Sequence, residues 1–295
     1  MKTAVKLSIP IVLALAALVA CDRLSTLSGE RPIAVQASIG AMTKVTTTGN
    51  KAVFDTGDAI SIFAWTGSAD AVPATRVVDG VKNTLGADGT WTPASPMLWR
   101  DMVSTHFFLG VFPARTVTDF KADPYTLVPD NYAASDLLIA TNLTGLKASD
   151  KPVELSFDHA LARLDVNLSF RNQWETTPTV TAVAATAKKT ATVDYLSKTL
   201  TATGTAAEVA LKAASNVAWS GLQVPQEGLR TITVKIDGKD YVYTHTADIP
   251  LAGGKYTTVN LILGRDKIEL SSEITINDWT SQGDAIGGDV FKPAA

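Results

Sequence analysis

The alternation of apolar and polar residues predicts a chain made of short β-strands. Residues 33–39 alternate strictly and indicate a strand with one buried face, whereas residues 59–65 are apolar on both faces and indicate a covered central strand. Gly-, Pro- and Asp-rich connections separate these strands from further ones at 76–81, 104–113, 164–170 and 257–263. Such spacing indicates antiparallel β-sandwiches rather than alternating strands and helices.

The dipeptide Asp237-Gly238 predicts a β-hairpin. Alternating runs flank it on both sides, and these two residue types suit a type I′ turn, in which both central residues adopt positive φ. A two-residue turn fixes the register of the cross-strand pairs, which are Ile236 with Lys239, Val234 with Tyr241 and Ile232 with Tyr243.

The N-terminus has the pattern of an export signal. Lys2 and Lys6 precede an apolar stretch at 7–20, which at about 14 residues reaches roughly 21 Å as a helix and is too short to span a bilayer. It ends at Ala20-Cys21 in a string that resembles the lipobox of bacterial lipoproteins. We expect residues 1–20 to be a signal peptide cleaved between Ala20 and Cys21, with acyl chains on Cys21 holding the protein to the outer membrane. The alternative is an ordinary secretory signal followed by an incidental cysteine.

Composition sets the size of the fold and excludes some partners. The mature chain of about 275 residues accommodates two medium domains, and we place their boundary near residue 157, giving domains at 21–157 and 158–295. The net charge of −3 provides no basic surplus to neutralise phosphates, which argues against a nucleic-acid partner. Cys21 is the only cysteine, so no disulfide can form within the chain.

No residue pattern in the chain predicts catalysis, a cofactor or a metal. The three histidines, His106, His159 and His245, do not have metal-ligand spacing, and no nucleophile elbow, phosphate-binding loop or calcium loop is present. Trp91, Trp99 and Trp279 lie beside apolar neighbours, so we expect them to pack in the protein rather than to form a sugar-binding platform.

Several segments together resemble the fimbrillin family of the Bacteroidetes, in an order kept over nearly the whole mature chain. They are AVFDTGDAISIFAW, DGTWTPASPMLWRD, THFFLGVFP, SDLLIA, VELSFDHALARLDVNL, LQVPQ, ITVKIDGKDYVY, LAGGKYTTVNLIL and ITINDW. The resemblance implies two tandem transthyretin-like β-sandwich domains. It also implies export as a lipoprotein and assembly into surface pili after an arginine-directed protease removes an N-terminal segment.

The strand at 33–39 is the candidate for removal, because it is followed by a Thr- and Gly-rich loop. Loss of an edge strand exposes unpaired backbone groups that another subunit's strand can fill. The candidate processing sites are Arg31 and Lys44. Cleavage after Lys44 removes the strand, but a lysine departs from the arginine preference that the resemblance implies. Cleavage after Arg31 is disfavoured by Pro32 and leaves the strand in place. The alternative is a permanent first strand.

These observations predict a non-enzymatic subunit of a surface fimbria that acts in cell adhesion. Its expected partners are other pilin subunits, the outer membrane through the lipid on Cys21, and a host protein or glycan. Residues 280–295 are a candidate donor segment with irregularly spaced apolar residues. The alternatives are a surface lipoprotein that binds glycans or that anchors or caps a pilus, and an enzyme with a pocket in which histidines and carboxylates converge.

Overall fold

The architecture is almost entirely β in the computed structural model, which describes residues 31–40, 53–129 and 131–278. The strands of the first half are β1 (Val35–Ile39), β2 (Ala59–Thr66), β3 (Val78–Leu85), β4 (Trp91–Pro93), β5 (His106–Phe112), β6 (Asp123–Thr126), β7 (Leu138–Leu146) and β8 (Val153–His159). The described residues contain one helix, α1 (Tyr132–Ser135), which lies between β6 and β7. None of the described residues form a helix long and apolar enough to cross a membrane.

The remaining strands belong to the second half of the chain. They are β9 (Ala162–Phe170), β10 (Val180–Ala187), β11 (Thr190–Asp194), β12 (Thr199–Thr203), β13 (Ala207–Ala210), β14 (Lys212–Ala213), β15 (Ala218–Gln223), β16 (Thr231–Ile236), β17 (Lys239–Thr244), β18 (Lys255–Leu263), β19 (Ile268–Leu270) and β20 (Thr275–Asp278). The all-β prediction is confirmed.

A seven-stranded sheet organises the first half, in the order β1-β8-β7-β5-β2-β3-β4. Its central strand β2 is buried on both faces because two separate apolar clusters cover it, which confirms the prediction from residues 59–65. One cluster, which we call the N-terminal cluster, includes Ile60 and Ile62 and is confined to the first half of the chain. The other, the shared cluster, includes Phe63 and Trp65 and extends into the second half.

Three more sheets are present among the described residues. A six-stranded sheet has the order β14-β15-β9-β18-β19, with β20 also pairing with β18, and a four-stranded sheet has the order β13-β10-β16-β17. Val166 of β9 and Val234 of β16 belong to the same shared cluster, so apolar residues of these two sheets pack together. The third sheet, β12-β11-β6, pairs β6 from before residue 157 with β11 from after it. The division into two domains at residue 157 stays a prediction.

The hairpin at Asp237-Gly238 forms as predicted. The two turn residues have φ of 49° and 76°, the signs that a type I′ turn requires. All three expected cross-strand pairs are present, from Ile236 with Lys239 to Ile232 with Tyr243.

Two features differ from the sequence expectations. Most strand pairs are antiparallel, but β1 pairs with β8 and β9 pairs with β18 in parallel, because longer connections bring these strands together. In the strand at 164–170, apolar residues alternate with Asp165, Asn167 and Ser169, which is typical of a half-buried strand, yet Asp165 and its neighbour Arg163 are buried. Burial is tolerated because the Arg163 Nη2 donates to Asp165 Oδ2 at 2.7 Å and the guanidinium lies over the Tyr256 ring.

Candidate functional site

The first described segment, residues 31–39, pairs with two parts of the chain that are distant from it in sequence, residues 97–99 and strand β8. At its start it runs antiparallel to residues 97–99, where Ile33 N–H donates to the Met97 carbonyl at 2.8 Å. Farther along, as β1, it changes partner and runs parallel to β8, from Val35 opposite Val153 to Ile39 opposite Phe157. Met97 follows β4, and β4 and β8 lie toward opposite edges of the seven-stranded sheet, so this segment connects the two edges. We call residues 31–39 the closing segment.

The alternation of residues 33–39 places one row of side chains inside the N-terminal cluster. Ile33, Val35 and Ile39 are buried, and Ala37 packs partly buried against the same cluster. Burying a side chain of this size contributes about 1.5–3 kcal/mol relative to leaving it in water. The other row is polar or small and faces outward, with Gln36 exposed. The prediction of a half-buried strand is confirmed.

Backbone hydrogen bonds hold the segment at both ends. Trp99 N–H donates to the Arg31 carbonyl at 2.9 Å, Val153 N–H donates to the Ala34 carbonyl and Gly40 N–H to the Phe157 carbonyl, both at 2.8 Å. If the segment left, these donors and acceptors on residues 97–99 and on β8 would lose their partners beside an open apolar groove. An edge of that kind favours pairing with another strand.

Of the sequence-predicted site residues, Arg31 lies directly at this segment. Its guanidinium pairs with the Asp150 carboxylate at 3.1 Å, and its side chain is one-third exposed. The peptide bond between Arg31 and Pro32 lies within the hydrogen-bonded segment, because its carbonyl accepts from Trp99. Ala20, Cys21, Lys44 and the 280–295 segment lie outside the described residues.

The three histidines have separate surroundings. His106 is wholly buried, with Nε2 accepting from Arg100 N–H at 3.1 Å and Nδ1 donating to the Ser104 carbonyl at 3.1 Å. Burial lowers the pKa of His106. His159 Nδ1 lies 2.8 Å from Asp136 Oδ1, and both side chains are buried. His245 Nδ1 lies 2.6 Å from the Tyr243 hydroxyl.

His159 lines a cleft of the described surface. That cleft, of about 470 Å³, also contains two lysines and two aspartates. The Lys198 ammonium pairs with Asp158 at 2.8 Å, and Lys255 pairs with Asp278, so both carboxylates are bound to a cation. Within the described ranges, no three His, Cys, Asp or Glu side chains are grouped so that they could hold a metal ion.

The tryptophans that the structure describes serve packing. Trp91 and Trp99 are buried in the N-terminal cluster, and Trp99 meets the His106 ring edge-on at a centroid distance of 4.9 Å. Trp279 lies outside the described residues.

Sequence reasoning predicted neither partner of the closing segment, β8 or residues 97–99. Residues 97–99 read Met-Leu-Trp, with Met97 and Trp99 buried, but an apolar run of three residues is too short to predict a paired strand. Asp150 was also missed, because an exposed acid in a loop gives no pattern that predicts its partner.

The closing segment lies just before the part of the chain that matches a known family. The family model described as fimbrillin-like matches residues 43–279. The chain belongs to the fimbrillin-like family. No protein among those with curated descriptions matches this fimbrillin-like chain.

Solved structures with a similar fold come from Bacteroides species. A candidate cell adhesion protein of Bacteroides uniformis is 20% identical, with a TM-score of 0.65 over 84% of this fimbrillin-like chain and 98% of its own. A second candidate cell adhesion protein, from Bacteroides ovatus, is 14% identical, with a TM-score of 0.66 over 85% and 98%. A fimbrial protein of Bacteroides vulgatus is 13% identical, with a TM-score of 0.50 over 84% and 99%. At these identities the likeness shows a common fold.

Proposed function

We propose that this fimbrillin-like protein is a structural subunit of a surface fimbria that acts in cell adhesion. In this proposal it is exported as a lipoprotein through Cys21 and polymerises by strand exchange after proteolysis removes residues 31–39. Family membership supports the fimbrial role. The observation that carries the exchange step is the segment 31–39, which pairs with strand β8 and with residues 97–99 and buries Ile33, Val35 and Ile39.

The geometry counts against Arg31, and the proposal therefore takes Lys44 as the residue at which removal begins. The carbonyl of the Arg31–Pro32 bond is hydrogen-bonded in the folded chain, and a cut there would leave the whole strand seated. A cut after Lys44 separates residues 31–39 from the rest of the chain, so that a competing strand can displace them. Sequencing the N-terminus of protein taken from intact cells tests this. We expect a start at Val45, and an intact acylated Cys21 would instead indicate a non-polymerising anchor or cap.

A disulfide that locks β1 in place tests the exchange step directly. Ser38 and Ser156 are register partners on β1 and β8, and directly paired strand residues are candidates for a disulfide, which needs Cα atoms about 4.4–6.8 Å apart. We expect the Ser38→Cys/Ser156→Cys variant to remain monomeric on an unboiled gel of cell extract, where the wild type gives a ladder that boiling dissolves.

The matched control places a disulfide in a hairpin away from the groove. Thr233→Cys/Val242→Cys joins opposite residues of β16 and β17 and should polymerise as the wild type does. If the β1-locked variant gave the same ladder as this control, β1 would be a permanent strand and strand exchange at this groove would be excluded.

Lipid anchoring has a separate test. Several acyl chains on Cys21 would bind the unprocessed protein to a membrane almost irreversibly, because each buried methylene contributes about 0.8 kcal/mol. We expect palmitate label in the wild-type chain and none in Cys21→Ser, with the variant lost from the membrane fraction. A labelled Cys21→Ser chain would contradict the assignment.

A further inference from the structure

A turn at residues 100–105, which we call the 100–105 turn, presents exposed apolar side chains on a rigid support. Met102 is 44% exposed and Val103 is 75% exposed. Asp101 holds the turn, because its Oδ1 accepts from Val103 N–H at 2.8 Å and its Oδ2 accepts from the Ser104 hydroxyl at 2.7 Å. The hydrogen bonds from Ser104 are the main reason that the pKa of Asp101 falls to about 2.

The base of the turn is fixed to the seven-stranded sheet. The buried His106 ring bonds to both Arg100 and Ser104, and Arg100 Nη1 donates to the Thr66 hydroxyl at 3.0 Å. Lys147 bonds to the Val103 carbonyl from the other side. Since the backbone is already ordered, a partner that covers Met102 and Val103 gains apolar burial with little further loss of conformational entropy.

This turn lies at the end of the groove where the closing segment begins. It follows Trp99, whose N–H holds the Arg31 carbonyl. A donor strand that takes the place of β1 in the same direction must therefore enter beside the 100–105 turn. If the donor strand is the C-terminal part of a second subunit, the folded part of that second subunit comes before the donor strand in sequence. It therefore lies beside the 100–105 turn of the first subunit.

The C-terminal part of the chain is long enough for this role. Residues 279–295 follow β20, and at roughly 3.3–3.6 Å per residue they reach farther than the closing segment requires. At the point from which they leave, β20 is exposed along its length, and its Ile276 is 41% exposed. Strand exchange would thus bring the 100–105 turn of one subunit near β20 of the next, and both carry exposed apolar side chains.

We propose that the 100–105 turn of one subunit docks on β20 of a second copy of this chain, with Met102 and Val103 against Ile276. The inference rests on the proposed strand exchange. It describes a head-to-tail contact between two different surfaces, which builds a filament rather than a closed dimer.

Cysteine cross-linking tests the contact in assembled polymer from cells that express the full-length chain. The single native cysteine, Cys21, lies in the segment that processing removes. In Val103→Cys/Ile276→Cys, mild oxidation should give a covalent ladder of three or more subunits that survives boiling and collapses with reductant. The single variants should give dimers at most.

The control pair is Val242→Cys/Ile276→Cys, because Val242 is 55% exposed on β17, away from the groove. We expect no covalent ladder from it. The contact is overturned if polymer forms normally but the Val103 pair gives no covalent ladder, or if both pairs give equal ladders. Either result leaves the proposed strand exchange unaffected. A wild type with no polymer at all overturns both proposals.

A charge at the contact gives a second readout. Val103→Asp should lower the yield of polymer about tenfold, whereas Val242→Asp should leave it unchanged. Both side chains are exposed in the single subunit, so the thermal unfolding midpoints of both variants should match the wild type. Unchanged polymer yield in Val103→Asp would contradict the docking of this turn.

Discussion

At the scale of single residues, His106 shows how one buried side chain organises a loop. Its neutral ring accepts one hydrogen bond and donates another, so it connects the two ends of the 100–105 turn. A protonated ring carries hydrogens on both nitrogens and could not accept from Arg100. The charge would also lie in a site that excludes water, and for this reason the pKa of His106 is lowered.

This pKa shift predicts acid sensitivity. A histidine whose pKa is lower in the folded state stabilises the protein fully above its unfolded pKa of about 6.5, and that stability is lost as the pH falls from there through the folded pKa. We expect the urea midpoint of the wild type to decrease between pH 7.5 and pH 5. In His106→Gln the decrease should be smaller. Parallel pH profiles for wild type and His106→Gln would contradict this role.

At the scale of elements, the 237–238 hairpin shows where turn chemistry determines structure. Gly238 has a φ of 76°, a conformation that costs a residue with a side chain about 1–2 kcal/mol, whereas asparagine adopts this region readily. We expect Gly238→Ala to lower the free energy of unfolding by about 1 kcal/mol and Asp237→Asn to leave it nearly unchanged. Chemical denaturation followed by circular dichroism measures both, and equal stability of the two variants would argue against the turn type.

The closing segment is the element with the largest predicted effect. Ile33→Ala should destabilise the chain by about 2–4 kcal/mol, because it leaves a cavity in the N-terminal cluster. Gln36→Ala, on the exposed face of β1, is the matched control and should change stability by about 0.5 kcal/mol or less. If the two variants unfolded at the same denaturant concentration, the groove would not depend on this strand.

Local sequence patterns predicted where the strands and turns lie better than which strands pair with each other. The alternation at 33–39, the two apolar faces of 59–65 and the dipeptide at 237–238 each lie within one continuous stretch, so the sequence alone was sufficient to interpret them. The pairing of residues 31–33 with residues 97–99 joins distant parts of the chain, and no local signal marks it. The burial of Arg163 and Asp165 was missed for the same reason, since their cover comes from each other and from Tyr256 on β18.

At the scale of the whole molecule, the two halves share a core. The shared cluster contains Trp65 from β2 and Val234 from β16, and β6 pairs with β11 across the predicted boundary at residue 157. Elements that share one apolar core unfold together, because neither can lose its partner without exposing apolar surface.

We therefore expect the chain to unfold in a single transition. Near-ultraviolet and far-ultraviolet circular dichroism should give the same midpoint and the same denaturant dependence. A fragment of residues 158–295 should be insoluble or unfolded, since it would expose the half of the shared cluster that residues such as Trp65 cover. Two separate transitions, or a soluble folded fragment, would instead support independent domains.

If the chain is exported as proposed, the closing segment has a consequence for the order in which the protein folds. Residues 31–39 leave the translocation channel early if the chain crosses N-terminus first, but their partners extend as far as Phe157. Contacts so distant in sequence form late, because the intervening chain must first emerge and be brought into place. Strand β1 therefore emerges before the other described strands but is among the last to pair. Most of the seven-stranded sheet can form before β1 is in place.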